Sequence, residues 1–225
     1  MVTRRDWQGQ EHIPQSGAAI VAVNHLSYMD PLTFTHFIID NGRAPRYIAK
    51  ESVFRIPFVG RVLRGAGQIP VYRETSSAKE ALMAAVEVLK DGGIIGMYPE
   101  ATLTRDPNLW PMVGKTGVAR LALLSGAPVI PCAQWGAQFL LPAYSKRFHL
   151  FPPKLIHVHA GPPIDLSQWQ GMADDLQALT DATAKIMAAI TAMLADIRHE
   201  TPPATPFDLR TSGLPRTGNF KKDAT

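Results

Sequence analysis

A chain of 225 residues, 46% of them hydrophobic, is long enough for one sizeable core and does not require a second domain. Its 23 Lys and Arg against 19 Asp and Glu argue against a nucleic-acid binder, which needs clustered charge, and suit anionic small molecules or anionic lipid surfaces. The single cysteine, Cys132, rules out an internal disulfide and reads as a small core residue of a reducing compartment.

Residues 1–17 read as a polar lead. Arg4 and Arg5 are not followed by an apolar stretch, so no secretory signal is expected. The apolar run Ala18 to Val23 predicts a short buried strand, which leaves His25 where the chain turns. Asp30-Pro31 is a helix-start signal, with Asp30 as cap, and Leu32 to Ile39 is the predicted helix, closed by Asn41-Gly42. His25 and Asp30 can meet only if the segment between them folds back. Two readings stay open: a turn residue beside a helix cap, or a histidine base oriented by a carboxylate.

Arg46 to Lys50 is a second strand. The stretch Glu51 to Arg64 alternates Phe, Ile, Val and Leu with arginines, as in a segment lying on an anionic bilayer or a core-facing helix with its arginines wet. After the break Gly65-Ala66-Gly67, a strand from Gln68 to Tyr72 runs into Arg73. A helix from Ala78 to Lys90, capped by Ser76 or Ser77, follows. Ile94 to Tyr98 is a strand that delivers Glu100; Gly114 to Leu124 is a helix; Pro128 to Gln134 and Leu155 to His159 are strands. The uncharged stretch Leu121 to Ser145 holds Gly126, Pro128, Pro131, Gly136 and Pro142 and fails as a membrane span. His157 and His159 share one strand face, but their flanks supply no cysteine or carboxylate, so they read as structural. Met172 to Arg198 is a long amphipathic helix, and residues 201–225 are a Pro- and Gly-rich tail expected to lack fixed structure. Strands alternating with helices make residues 18–200 one α/β domain.

Each strand end in the first half delivers a functional group: His25, Lys50, Arg73 and Glu100. In open α/β sheets the ligand crevice lies beyond the carboxyl ends of the strands. Here the sequence resembles the 1-acylglycerol-3-phosphate (lysophosphatidic acid) acyltransferases, of the glycerolipid acyltransferase superfamily. Asn24, His25 and Asp30 match that family's Asn-His, four residues, Asp signature; Gly67 through Arg73 match a glycine and a strand ending in Arg. Tyr98, Pro99, Glu100 and Thr102 match part of an aromatic-Pro-Glu-Gly-Thr-Arg block, and Val129, Ile130 and Pro131 match an apolar strand with a proline. The resemblance covers roughly Ala18 to Gly136, with the blocks in the family's order.

The resemblance implies a single-domain α/β fold, glycerol-3-phosphate acyltransferase-like, with a mixed, mostly parallel sheet flanked by helices. It implies transfer of a fatty acyl group from acyl-CoA or acyl carrier protein to the hydroxyl of 1-acylglycerol-3-phosphate, giving phosphatidic acid for phospholipid biosynthesis. His25 would be the catalytic base and Asp30 its orienter. Asn24, Lys50, Arg73, Glu100, Thr102 and Arg105 would form the substrate-binding set, with Glu100 holding the loop and Arg73 and Arg105 suited to a phosphate. No metal and no cofactor are implied.

Two departures stand out: Ala101 replaces the family's Gly and Leu103 its acceptor-binding Arg, with Arg105 two residues on. Only 24 residues precede His25, so the family's N-terminal membrane-inserting helices are not expected, and Arg46 to Arg64 with Leu109, Trp110 and Met112 become the surface for a bilayer, with core packing an equal reading for Trp110. The expected setting is cytoplasmic, peripheral to the inner face of the plasma membrane. Alternatives are transfer to another lysolipid or glycolipid, a metal-dependent phosphoesterase built on His25, Asp30 and Glu100, and a non-catalytic lipid-binding protein.

Overall fold

The structure is a computed structural model that describes residues 3–71, 77–145 and 147–215. Seven strands form one sheet: β1 (Thr3–Gln8), β2 (Ala19–Val23), β3 (Pro45–Lys50), β4 (Ile69–Val71), β5 (Ile94–Met97), β6 (Val129–Trp135) and β7 (Lys154–Ala160), in the order β1-β7-β6-β2-β5-β3-β4. All neighbouring pairs are parallel except β6 with β7, so the sheet is mixed and mostly parallel. The helices are α1 (Asp30–Asp40), α2 (Glu51–Phe54), α3 (Val59–Gly65), α4 (Ser77–Lys90), α5 (Gly117–Ser125), α6 (Ala137–Leu140) and α7 (Leu176–Arg198).

β2 lies in the middle of the sheet, and all five of its residues are buried, which is why it reads as an unbroken apolar run. On one face Val21 and Val23 pack with Phe34, Phe37 and Ile38 of α1. On the other, Ile20 and Ala22 pack with residues of α4, α5 and α7. The result is a three-layer sandwich in which the loops after the neighbouring parallel strands β2, β5 and β3 gather at the carboxyl end of the sheet.

The first seventeen residues are more than a lead. β1 is an edge strand paired in parallel with β7, Asp6 opposite His157 and Gln8 opposite His159. Its mixed sequence suits an edge, where only part of the strand is covered. The tail also begins in contact with the domain, since Val113 N donates to the Phe207 carbonyl at 2.9 Å.

α7 starts at Leu176, with the Asp175 carboxylate accepting from Ala178 N at 2.8 Å. It is long and apolar enough to cross a membrane, yet Leu179, Ala182, Ile186, Ile190 and Leu194 are buried against the sheet. Met112, expected at a lipid surface, is instead 2% exposed, and Trp110, at 4%, takes the core-packed of its two readings. The Arg198 guanidinium lies 4.0 Å from the Trp110 ring centroid and holds it inside.

Candidate active site

Pro31 sits in the first turn of α1, where its missing N–H costs no hydrogen bond. Asp30 precedes it inside the helix, Met29 taking the capping position, and its side chain does not cap that helix. It turns back to the loop after β2, where Oδ2 accepts from the Leu26 amide, from the Ser27 amide at 2.8 Å and from His25 Nδ1 at 2.9 Å. Asp30 is fully buried, and its other oxygen has no partner among the described residues. The loop is held down by Ser27 Oγ, which donates to the Leu141 carbonyl at 2.6 Å.

The imidazole of His25 stacks on Tyr98 with ring centroids 4.2 Å apart. In the tautomer that donates from Nδ1 to the Asp30 carboxylate, Nε2 is left as the acceptor. The His25 side chain is 16% exposed, whereas the Asp30 side chain that orients it is fully buried. Burial pushes the Tyr98 hydroxyl well up, so the stacking partner stays neutral.

Glu100 forms the second clamp. Oε1 accepts the His25 backbone amide and Oε2 the Met112 amide, each at 3.0 Å. The carboxyl is 2% exposed; burial pushes it up to about 8, against the pull of the two amide donors. It ties the loop after β5 to the catalytic turn, as does Thr104 N, which donates to the His25 carbonyl at 2.7 Å. Ala101, inside that loop, has φ 57°, a left-handed conformation that a glycine adopts without strain.

The other expected site residues divide. Asn24 is fully buried and exchanges hydrogen bonds with the Gln134 backbone, 3.0 Å to its carbonyl and 2.8 Å from its amide; this pins the end of β2 to β6. Arg105 is 3% exposed, 5.7 Å from the Tyr144 ring and close enough to Tyr28 to act on its hydroxyl, which brings it to the turn that carries His25. Leu103 is buried. Lys50 ends β3 at the same end of the sheet, exposed, roughly 10 Å from β2 by two strand spacings. Thr102 is half-buried in the loop after β5. Arg73 lies outside the described residues.

Sequence reasoning passed over Gln134, Ser27 and Tyr28 as site residues. A polar Gln134 at the end of an otherwise apolar strand was the available signal for the first. Ser27 and Tyr28 carried none, because their partners Leu141 and Tyr144 are more than a hundred residues away. A metal centre on His25, Asp30 and Glu100 is disfavoured by the donor set: both Glu100 oxygens and Asp30 Oδ2 are occupied by amides or by His25. Burial pushes the Cys132 thiol up as well, so it is no thiolate nucleophile.

The chain is 32% identical over 164 residues to a 1-acyl-sn-glycerol-3-phosphate acyltransferase of Borreliella burgdorferi, covering 70% of this chain and 60% of the relative. It is 30% identical over 145 residues to the chloroplastic 1-acyl-sn-glycerol-3-phosphate acyltransferase BAT2 of Brassica napus, covering 64% of this chain and 40% of the relative. The aligned part thus spans 60% or less of these relatives. The crystal structure of the 1-acyl-sn-glycerophosphate (LPA) acyltransferase PlsC from Thermotoga maritima shares the fold, with a TM-score of 0.67 at 24% identity over 89% of this chain and 75% of that one. Residues 4–135, more than half of the chain, match the family model of the acyltransferases, and the chain belongs to that family.

Proposed function

We propose that this protein transfers a fatty acyl group from acyl-CoA or acyl carrier protein to the free hydroxyl of 1-acylglycerol-3-phosphate, giving phosphatidic acid. The observation that carries the reading is the pair His25 Nδ1 and Asp30 Oδ2 at 2.9 Å, with Nε2 left as an acceptor. In this mechanism Nε2 takes the proton of the acceptor hydroxyl as its oxygen attacks the thioester carbonyl. Asp30 stabilises the imidazolium that forms. Collapse of the tetrahedral intermediate breaks the C–S bond, and the imidazolium returns its proton to the departing sulfur. Glu100 and Asn24 act by fixing the turn that carries His25. Arg105 is the cation offered to the acceptor phosphate.

Leu103 supports a second reading, transfer to a different lysolipid or glycolipid, because an apolar residue stands where the family carries its acceptor-binding Arg. A peripheral seat on the inner face of the plasma membrane is supported by α2, α3 and the turn between them. There Phe58 is 74%, Ile56 49% and Val62 53% exposed, amid the exposed arginines Arg55, Arg61 and Arg64.

The test is free-thiol release from a long-chain acyl-CoA, comparing lysophosphatidic acid with monoacylglycerol as acceptor. Release that depends on the phosphate, with an Arg105→Ala variant raising the acceptor's KM more than the donor's, supports the first reading. Equal release with both acceptors supports the second. No release with either refutes the proposal.

A further inference from the structure

His157 and His159, which the sequence leaves without a third ligand, acquire one from the far end of the chain. β1 places Asp6 beside them. Asp6 Oδ2 lies 2.6 Å from His157 Nδ1 and 3.1 Å from His159 Nε2, and the three ligand atoms lie within 4.8 Å of one another. The other carboxylate oxygen accepts from Gln8 Nε2 at 3.1 Å, which fixes the carboxylate plane. The imidazoles cross at 72° with centroids 5.9 Å apart, so they approach Asp6 from different directions.

We propose that Asp6, His157 and His159 form a binding site for one divalent transition-metal ion of the zinc class, separate from the acyl-transfer site and two strands away from β2. Two imidazole nitrogens and a carboxylate oxygen are the ligand chemistry of zinc, whereas calcium and magnesium take oxygen ligands. Bonds of about 2.0 Å to a tetrahedral ion require ligand atoms roughly 3.3 Å apart; His159 Nε2 is already 3.1 Å from Asp6 Oδ2, and His157 Nδ1, at 2.6 Å, must draw back to admit the ion. The metal takes the place of the two N–H protons that face Asp6; each neutral imidazole carries its proton on the opposite nitrogen instead.

A groove of about 540 Å³, lined by Trp135, Phe139, His149, Lys154 and Leu155 among others, shares His157 as a wall. The side chains of Asp6, His157 and His159 are 33%, 21% and 18% exposed, so an ion can enter. The ion would link residues 151 positions apart in the chain, and its binding free energy would therefore add to the stability of the folded state.

The test uses the full chain, stripped with EDTA and returned to zinc chloride or magnesium chloride. Equilibrium dialysis should give one zinc per chain, with a rise in Tm that EDTA reverses and magnesium does not reproduce. His157→Gln and His159→Gln should each weaken zinc binding at least tenfold, whereas His36→Gln, a surface control, should not. Cobalt(II) loading of the unaltered chain needs no variant to fold and should give the strong visible absorption of a four-coordinate ion. Absence of zinc binding, the weak spectrum of six-coordinate cobalt, or equal loss in the His36 control would overturn the proposal.

Discussion

Replacing Asp30 by asparagine keeps the shape of the side chain and removes its charge. In the native turn one oxygen serves three donors, His25 Nδ1 and the amides of Leu26 and Ser27, while the other is buried without a partner among the described residues. An asparagine whose oxygen takes the first position retains all three acceptances. Its amide, placed where the partnerless oxygen sat, adds about 1–3 kcal/mol of destabilisation at most. The function suffers more. Once His25 has taken a proton, the carboxylate attracts the imidazolium by about 4 kcal/mol at a separation near 4 Å and an effective dielectric constant near 20. That loss corresponds to a fall in kcat of about 10³-fold. Asp30→Ala adds a structural penalty, since the buried Leu26 and Ser27 amides lose their acceptor at about 1–3 kcal/mol each. Thiol release at saturating substrate measures the first effect and urea unfolding the second. An asparagine variant that keeps more than a tenth of the native kcat would refute the orienting role, and an alanine variant as stable as the native chain would refute the geometry.

Three other substitutions probe the surroundings. Glu100 has its carboxyl raised to about 8 from 4.5, so across that window the unfolded chain releases a proton that the folded chain keeps, and stability falls as pH rises, by up to about 1.4 kcal/mol per unit. Glu100→Gln cannot titrate. Chemical unfolding should therefore show the native chain's lead over this variant shrinking from pH 5 to 8 and levelling off above, and a lead that grows with pH would contradict the assignment. Ala101→Gly removes a left-handed strain of about 1–2 kcal/mol at an entropic cost of about 0.5–1 kcal/mol, so Tm should rise by about 1–4 °C; a fall would show that the dihedral carries no strain. Phe58→Ser removes the most exposed aromatic of the basic α2–α3 surface and should weaken cosedimentation with anionic vesicles several-fold, whereas unchanged binding would move the membrane contact elsewhere.

The local signals were reliable where a segment's partners are close in sequence or its burial is complete. β2 is apolar because it is covered on both faces, and the helix after Pro31 follows from the chemistry of its first turn. Long-range pairing was not legible. β1 looks like a polar lead because an edge strand needs only partial covering, and its partner β7 lies some 150 residues away. The same gap hid Asp6 from the two histidines. Asp30 kept two readings, helix cap or orienter of His25, because sequence gives its position but not the direction of its side chain. Trp110 kept two readings, lipid contact or core, because nothing near it in sequence indicates that Arg198, from the end of α7, covers it. The strand-end rule served the site better: His25, Lys50 and Glu100 do stand at one end of the sheet.

The central claim is that His25 removes the proton from a lipid hydroxyl. Its most direct test is thiol release from a long-chain acyl-CoA with lysophosphatidic acid, comparing the native chain with His25→Ala. The account requires a loss of about 10²–10⁴-fold in kcat with an unchanged circular-dichroism spectrum and urea midpoint. Turnover near the native rate in a folded His25→Ala protein would contradict it.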